Sequence, residues 1–98
     1  MMQNAPTRRP LFSLGQVVAT PGALAAFAAT GERIIRYVAM HQCGEWGTLD
    51  ADDIRANEAA LRCDARLLSA YHLRDDTKMY IITEADRSST CVLLPKEY

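Results

Sequence analysis

The chain has 98 residues, 49% of them apolar and 23% charged, with a formal net charge of -1. That length suits one domain with a single core and excludes two well-packed ones. The near-neutral balance lacks the excess of Lys and Arg that sequence-independent binding to nucleic acid requires. The longest mostly apolar stretch, residues 17–29, is broken by Thr20, Pro21 and Gly22 and falls short of a membrane span.

Arg8 and Arg9, in "NAPTRRPLF", are the only adjacent basic pair, and no long apolar run follows to make them part of a secretion signal. Residues 1–10 are therefore expected to form a flexible tail and residues 11–98 one domain. Cys43, Cys63 and Cys91 are odd in number, widely spaced and free of any CxxC pair. This argues against a disulfide framework and a thiolate zinc site, and it fits a reducing cytoplasm in which free thiols pack as small apolar groups.

In chain order, "LFSLGQVVAT" reads as a short strand or extended arm, ended by Thr20-Pro21-Gly22. Thr20 suits an N-cap and Pro21 a first helical turn; Leu24, Phe27 and Ala28 share a face, and Gly31 ends this first helix. Ile34, Tyr37, Val38 and His41 then recur at helical spacing, with Gly44 as a stop. A glycine-bracketed turn around Trp46 leads to Asp50, which can cap a third helix with Ile54, Asn57 and Leu61 on its inner face. The acidic first turn, Asp50, Asp52 and Asp53, suits the helix dipole.

From Arg66 the period changes to two. "RLLSAYHL", "KMYIITEA" and "STCVLLP" predict three antiparallel strands joined by "RDDT" and "DRS". Along the middle strand Met79, Ile81 and Thr83 point one way and Tyr80, Ile82 and Glu84 the other, and either set could line the core. The expected fold is α+β: about three helices packed on one face of a small antiparallel sheet that ends in a three-stranded meander.

Several side chains could carry chemistry. His41 could serve as a base or metal ligand with Asp50 or Glu84, although "HQCGEWGTLD" matches no metal-ligand spacing and a histidine closing a helix C-terminus is the plainer reading. Trp46 could anchor a partner from the surface or fill the core. The octet "TEADRSST" offers the carboxylates of Glu84 and Asp86, the Arg87 guanidinium, and the hydroxyls of Ser88 and Ser89. It also reads as a connection, with Asp86 and Ser88 bonding nearby backbone and Arg87 pairing back to Glu84. Arg66, His72, Lys78 and Tyr80 add a polar sheet face. Arg66, Tyr71, Lys78 and Tyr80 have the composition of a single-strand nucleic-acid platform without its signature motifs.

The segments "LGQVVATPGALAAF", "HQCGEWGTLDADDIRANEAAL", "RLLSAYHL" and "KMYIITEADRSSTCVLLPKEY" together resemble a family of small bacterial proteins carried on plasmids and integrative elements, often labelled plasmid-related and sometimes type I restriction endonuclease subunit M. The chain has neither the glycine-rich S-adenosylmethionine loop nor the NPPY-like tetrapeptide of a methyltransferase subunit. The family pattern carries a glycine in the first hairpin where this chain has Asp76, which implies a different turn there. The resemblance implies an accessory role between a mobile element and its host, antirestriction among the options, and it carries over no catalytic residue or cofactor. The sequence reading is thus a non-enzymatic, cytoplasmic protein-binding module using Trp46, Asp50, Tyr80, Glu84, Asp86, Arg87 and Ser89. The partner is an unidentified protein, a host defence component being one candidate, and an unpaired sheet edge leaves homodimerisation open.

Overall fold

The computed structural model describes residues 9–98. The expected tail therefore lies outside the described residues, apart from Arg9 and Pro10, which are exposed. The elements run β1 (Gln16–Ala19), α1 (Pro21–Thr30), α2 (Ile34–Gln42), α3 (Ala51–Cys63), β2 (Leu67–His72), β3 (Lys78–Thr83) and β4 (Ser89–Leu93), followed by a single 3-10 turn, Pro95–Glu97. Among the described residues no helix is long and apolar enough to cross a membrane.

Local chemistry sets the helix ends. Thr20 accepts the Ala23 N–H at 3.1 Å, and Gly31, left-handed at φ 74°, returns its N–H to the Phe27 carbonyl at 2.9 Å. Asp50 caps α3 by accepting the Asp53 N–H at 2.9 Å. The Thr20 hydroxyl also donates to the Glu97 carboxylate at 2.6 Å, which ties the chain's last turn to the start of α1. A Cβ on Gly22 would come within 2.5 Å of that carboxylate, so a larger residue there would make the Glu97 side chain shift.

The sheet has the order β1-β4-β3-β2. β2, β3 and β4 form the expected meander, whereas β1 pairs parallel with β4 and makes the sheet mixed. Its direction follows from the connection: β1 turns at Thr20-Pro21 straight into a helix over the sheet, and its return to β4 is a crossover, not a hairpin. Gly15 permits the pairing. At φ 63° it lies so close to the tip of the β3–β4 hairpin that a Cβ would stand 2.3 Å from the Ser88 carbonyl carbon.

Met79, Ile81 and Thr83 are the buried set on β3. The register puts Leu67, Ser69 and Tyr71 of β2 and Thr90 and Val92 of β4 on the same face. Phe27, Tyr37 and Val38 of α1 and α2 pack on one end of it; Ala60 of α3 and Trp46 pack on Leu67 at the other. All three helices therefore cover one face.

The outer edge of β2 is closed at Leu68 and Ala70 from within the chain. The Asn57 side chain donates to the Leu68 carbonyl at 2.7 Å and accepts the Leu68 N–H at 3.0 Å, so a helix residue pairs with the strand as a neighbouring strand would. Two residues on, Ala70 donates to Trp46 O at 3.0 Å and accepts from Thr48 N at 2.7 Å. Gly47 makes this bridge possible, since a Cβ there would lie 1.8 Å from the Ala70 oxygen.

In the β2–β3 turn Asp76 adopts φ 71°, the left-handed conformation that glycine takes without strain, while Asp75 accepts the Thr77 N–H at 3.1 Å. The turn thus has a glycine-type geometry carried by an aspartate. Asp76→Gly should raise stability by up to about 1 kcal/mol in urea denaturation. Asn57→Ala should lower it by about 2–3 kcal/mol, because both backbone groups of Leu68 lose their partner; a loss below about 0.5 kcal/mol would show that water replaces the amide at that edge.

Candidate functional site

His41, the leading candidate for chemistry, is fully buried. Its helical spacing with Tyr37 and Val38 turns it into the core, where Phe12 and Trp46 meet the imidazole edge-on with centroids at 5.2 and 5.7 Å. Nδ1 lies 2.6 Å from Ser69 Oγ and Nε2 lies 2.9 Å from Thr83 Oγ1. Thr83 Oγ1 is in turn 2.7 Å from Thr90 Oγ1, which donates to the Leu14 carbonyl at 2.7 Å.

For a neutral imidazole, counting protons fixes every direction in this chain. The one hydroxyl proton of Thr90 goes to Leu14, so Thr90 accepts from Thr83. Thr83 then has no proton left for His41 and must accept from Nε2–H. Nδ1 is left bare and accepts from Ser69. The one ring proton is thus on Nε2, and burial is what keeps the imidazole neutral. Burial alone pushes its pKa down to about 4 from 6.5.

The structure does not bring His41 to its expected carboxylates. Asp50 caps α3, and Glu84 lies at the sheet's outer side, 3.6 Å from the Arg66 guanidinium. Among the described residues no group of His, Cys, Asp and Glu has the arrangement of a metal site. Trp46 is buried, stacked on Phe12 at 6.3 Å. Phe12 belongs to the arm before β1; sequence reading placed no core residue there.

The octet is a connection that also holds other elements. A turn closes with Arg87 N–H on the Glu84 carbonyl at 2.9 Å, and Asp86 accepts the Ser88 N–H at 3.0 Å. The Ser88 hydroxyl and that N–H hold the Asp86 carboxyl below its usual range. Arg87, left-handed at φ 60°, folds its guanidinium inward onto four carbonyls: Ala65 at 2.7 Å, Ala60 and Ala85 at 3.0 Å, and Glu84 at 3.1 Å. It also stacks 5.8 Å above Phe12. Arg87 thus pairs with the Glu84 backbone and not with its carboxylate, and it closes the C-terminus of α3. The Ser88 carbonyl accepts from Gln16 at 3.0 Å and so receives β1. A shallow depression of about 450 Å³ lies beside the turn, lined by Asp64, Ala85, Asp86 and Arg87.

On the sheet's outer face Tyr80 meets Tyr98 edge-on at 6.1 Å, Lys78 Nζ stands 5.4 Å over the Tyr80 ring, and Arg66 donates to the Tyr98 hydroxyl at 2.9 Å. With Glu84 these residues form one exposed or half-exposed cluster. Tyr98 was missed in the sequence because nothing local reveals that the last residue returns to the sheet. Tyr71 leaves the set: it is buried on the inner face and hydrogen-bonds the Glu45 carbonyl. Ser89 is half-buried on β4 opposite Gln16.

Comparison with protein-family models, with curated proteins and with solved structures finds no match.

The buried imidazole has a measurable consequence. At neutral pH it is uncharged in folded and unfolded chains alike. Below 6.5 the unfolded chain takes up a proton that the folded one refuses until about 4. Stability should therefore fall as pH drops through that window, by up to roughly 3 kcal/mol from this group. Long-range ¹H–¹⁵N spectra should show a bare Nδ1 and a protonated Nε2 at pH 7 and no titration before the protein unfolds; a protonated Nδ1 at neutrality would overturn the hydrogen-bond order.

Proposed function

We propose that the chain is a non-enzymatic binding module that recognises another protein through the outer face of its sheet. The observation that supports this is the cluster Arg66, Lys78, Tyr80, Glu84 and Tyr98 on the face that none of the three helices covers. Tyrosine and arginine are the side chains that protein interfaces favour, because they combine large contact area with directional hydrogen bonds. Charges of both signs stand side by side, with Glu84 beside Arg66, which suits a mixed protein surface better than a phosphate backbone.

The groups that a reaction would need are engaged elsewhere in the fold, His41 in the core and Asp50 as a helix cap. Asp86, exposed at the adjoining turn, extends the surface. Arg87 supports it from beneath and contributes no free cation, and Trp46 lies in the core below. The resemblance to plasmid and integrative-element proteins favours a cytoplasmic host defence component as the partner.

Tagged protein should capture one stoichiometric bacterial partner. Tyr80→Ala with Tyr98→Ala should reduce the yield at least about tenfold, the equivalent of a hot-spot loss, while Arg55→Ala on the far side of α3 leaves it unchanged. Arg87→Ala is unsuitable as a probe, since it would remove the guanidinium that joins the turn to α3 and the α3–β2 loop. Capture by all three forms alike, or by none, would remove the outer face as a recognition surface.

A further inference from the structure

The two edges of the sheet are finished differently. On β2 the outward-turned groups of Leu68 and Ala70 are taken up by Asn57, Trp46 and Thr48. On β1 the Gln16 N–H bonds Ser88 O at 3.0 Å and the Thr20 N–H bonds Val92 O at 3.0 Å. In a parallel ladder alternate residues turn both backbone groups to the same neighbour. Gln16, Val18 and Thr20 therefore face β4, and the N–H and C=O groups of Val17 and Ala19 face away from the sheet.

Natural proteins blunt such an edge with charge, proline, bulges or a covering segment. β1 has no charge and no proline in "QVVA", and its register against β4 is regular throughout. Val17 and Val18, one on each face, remain 46% and 42% exposed.

We propose that β1 is a homodimer edge, pairing antiparallel with β1 of a second copy about a two-fold axis at Val18. An edge accepts its own copy only in a register that keeps both the hydrogen-bonding groups and the side-chain faces in phase. Registers centred on Val17, Val18 or Ala19 all keep this phase, and the one centred on Val18 is the one that engages both outward-facing residues within the strand. Val17 and Ala19 carry the outward groups, and both lie on the helix side, opposite Thr90 and Val92. An axis normal to the sheet at Val18 sets Val17 of each copy against Ala19 of the other, and each pair exchanges both hydrogen bonds. The two Val18 side chains then meet on the outer face in the non-hydrogen-bonded position, where opposed side chains approach most closely.

The neutral strand brings no like charges together, and hydrophobic contact between valines replaces their exposure to water. The two sheets become continuous with every helix on one side. The only edges left are those of β2, at which Leu68 and Ala70 are already paired within the chain.

Sedimentation velocity on the full chain, from low to high micromolar and under reducing conditions because Cys63 is exposed, tests this. Val17→Pro removes an N–H that β4 does not use, and Val18→Lys sets two ammonium groups against each other at the axis; neither removes a bond within the sheet. The wild type should dimerise, with amide exchange at Val17 and Ala19 slowing as concentration rises. Both variants should be folded monomers by circular dichroism, with self-association weakened at least about tenfold. If Val17→Pro does not fold, Val18→Lys decides alone. A wild type that stays monomeric throughout, or a dimer that survives Val18→Lys with its fold intact, overturns the proposal.

Discussion

The run of hydrogen bonds from Ser69 through His41, Thr83 and Thr90 to the Leu14 carbonyl joins α2 to three strands and to the arm before β1. With the imidazole neutral, the run has one direction and one tautomer. Such a chain adds little net stability over an apolar core, because its members were hydrogen-bonded to water before folding. It does penalise alternatives. Sliding β3 by one residue would bury Ile82 in place of Thr83 and leave the imidazole Nε2–H without an acceptor in a dry interior, at a cost of about 1–3 kcal/mol. The polar chain therefore fixes register, and the surrounding Phe12, Trp46, Tyr71 and Ile81 contribute the burial.

Arg87 does for the hairpin end what His41 does for the middle of the sheet. A helix C-terminus leaves carbonyls without donors. Here one guanidinium meets α3, the α3–β2 loop and its own turn, while the aromatic arm lies beneath it. The left-handed backbone of Arg87 aims the side chain back toward α3, and the same turn presents the Ser88 carbonyl to β1. A stretch that resembles a reactive site by composition is thus a junction of four elements. Its outward chemistry is confined to Glu84 and Asp86.

Much of this was legible in the sequence wherever a local rule operates. Thr20, Pro21 and Gly31 bracket α1, Asp50 starts α3, and the change of period at Arg66 marks the meander. His41 falls inside because it shares a helical face with Tyr37 and Val38. Thr83 falls in the same alternating set as Met79 and Ile81, but alternation alone does not say which set is buried, so its place beside His41 was not legible. What could not be read are meetings between distant segments. The parallel pairing of β1 with β4, the return of Tyr98 to β3, and the edge closure by Asn57 have no local signature. Arg87 was ambiguous for a different reason: a long side chain on a turn looks the same in sequence whether it extends to a ligand or folds back.

The two faces of the sheet differ in how far their side chains answer to the fold. On the inner face a side-chain change disturbs a packed aromatic cluster or a one-directional hydrogen-bond chain, so those positions answer to the fold. On the outer face Lys78, Tyr80, Arg66 and Tyr98 contact one another through edges and side-chain tips, and their replacement leaves the backbone ladder intact. Ile82 and Leu93 are buried even there, which gives the cluster a rigid apolar floor. In the binding role proposed above, tyrosines on such a floor would have little conformational entropy to lose. Because Tyr98 reaches this surface only through the final turn, the Thr20–Glu97 hydrogen bond that anchors this turn to α1 links the outer cluster to the helix layer.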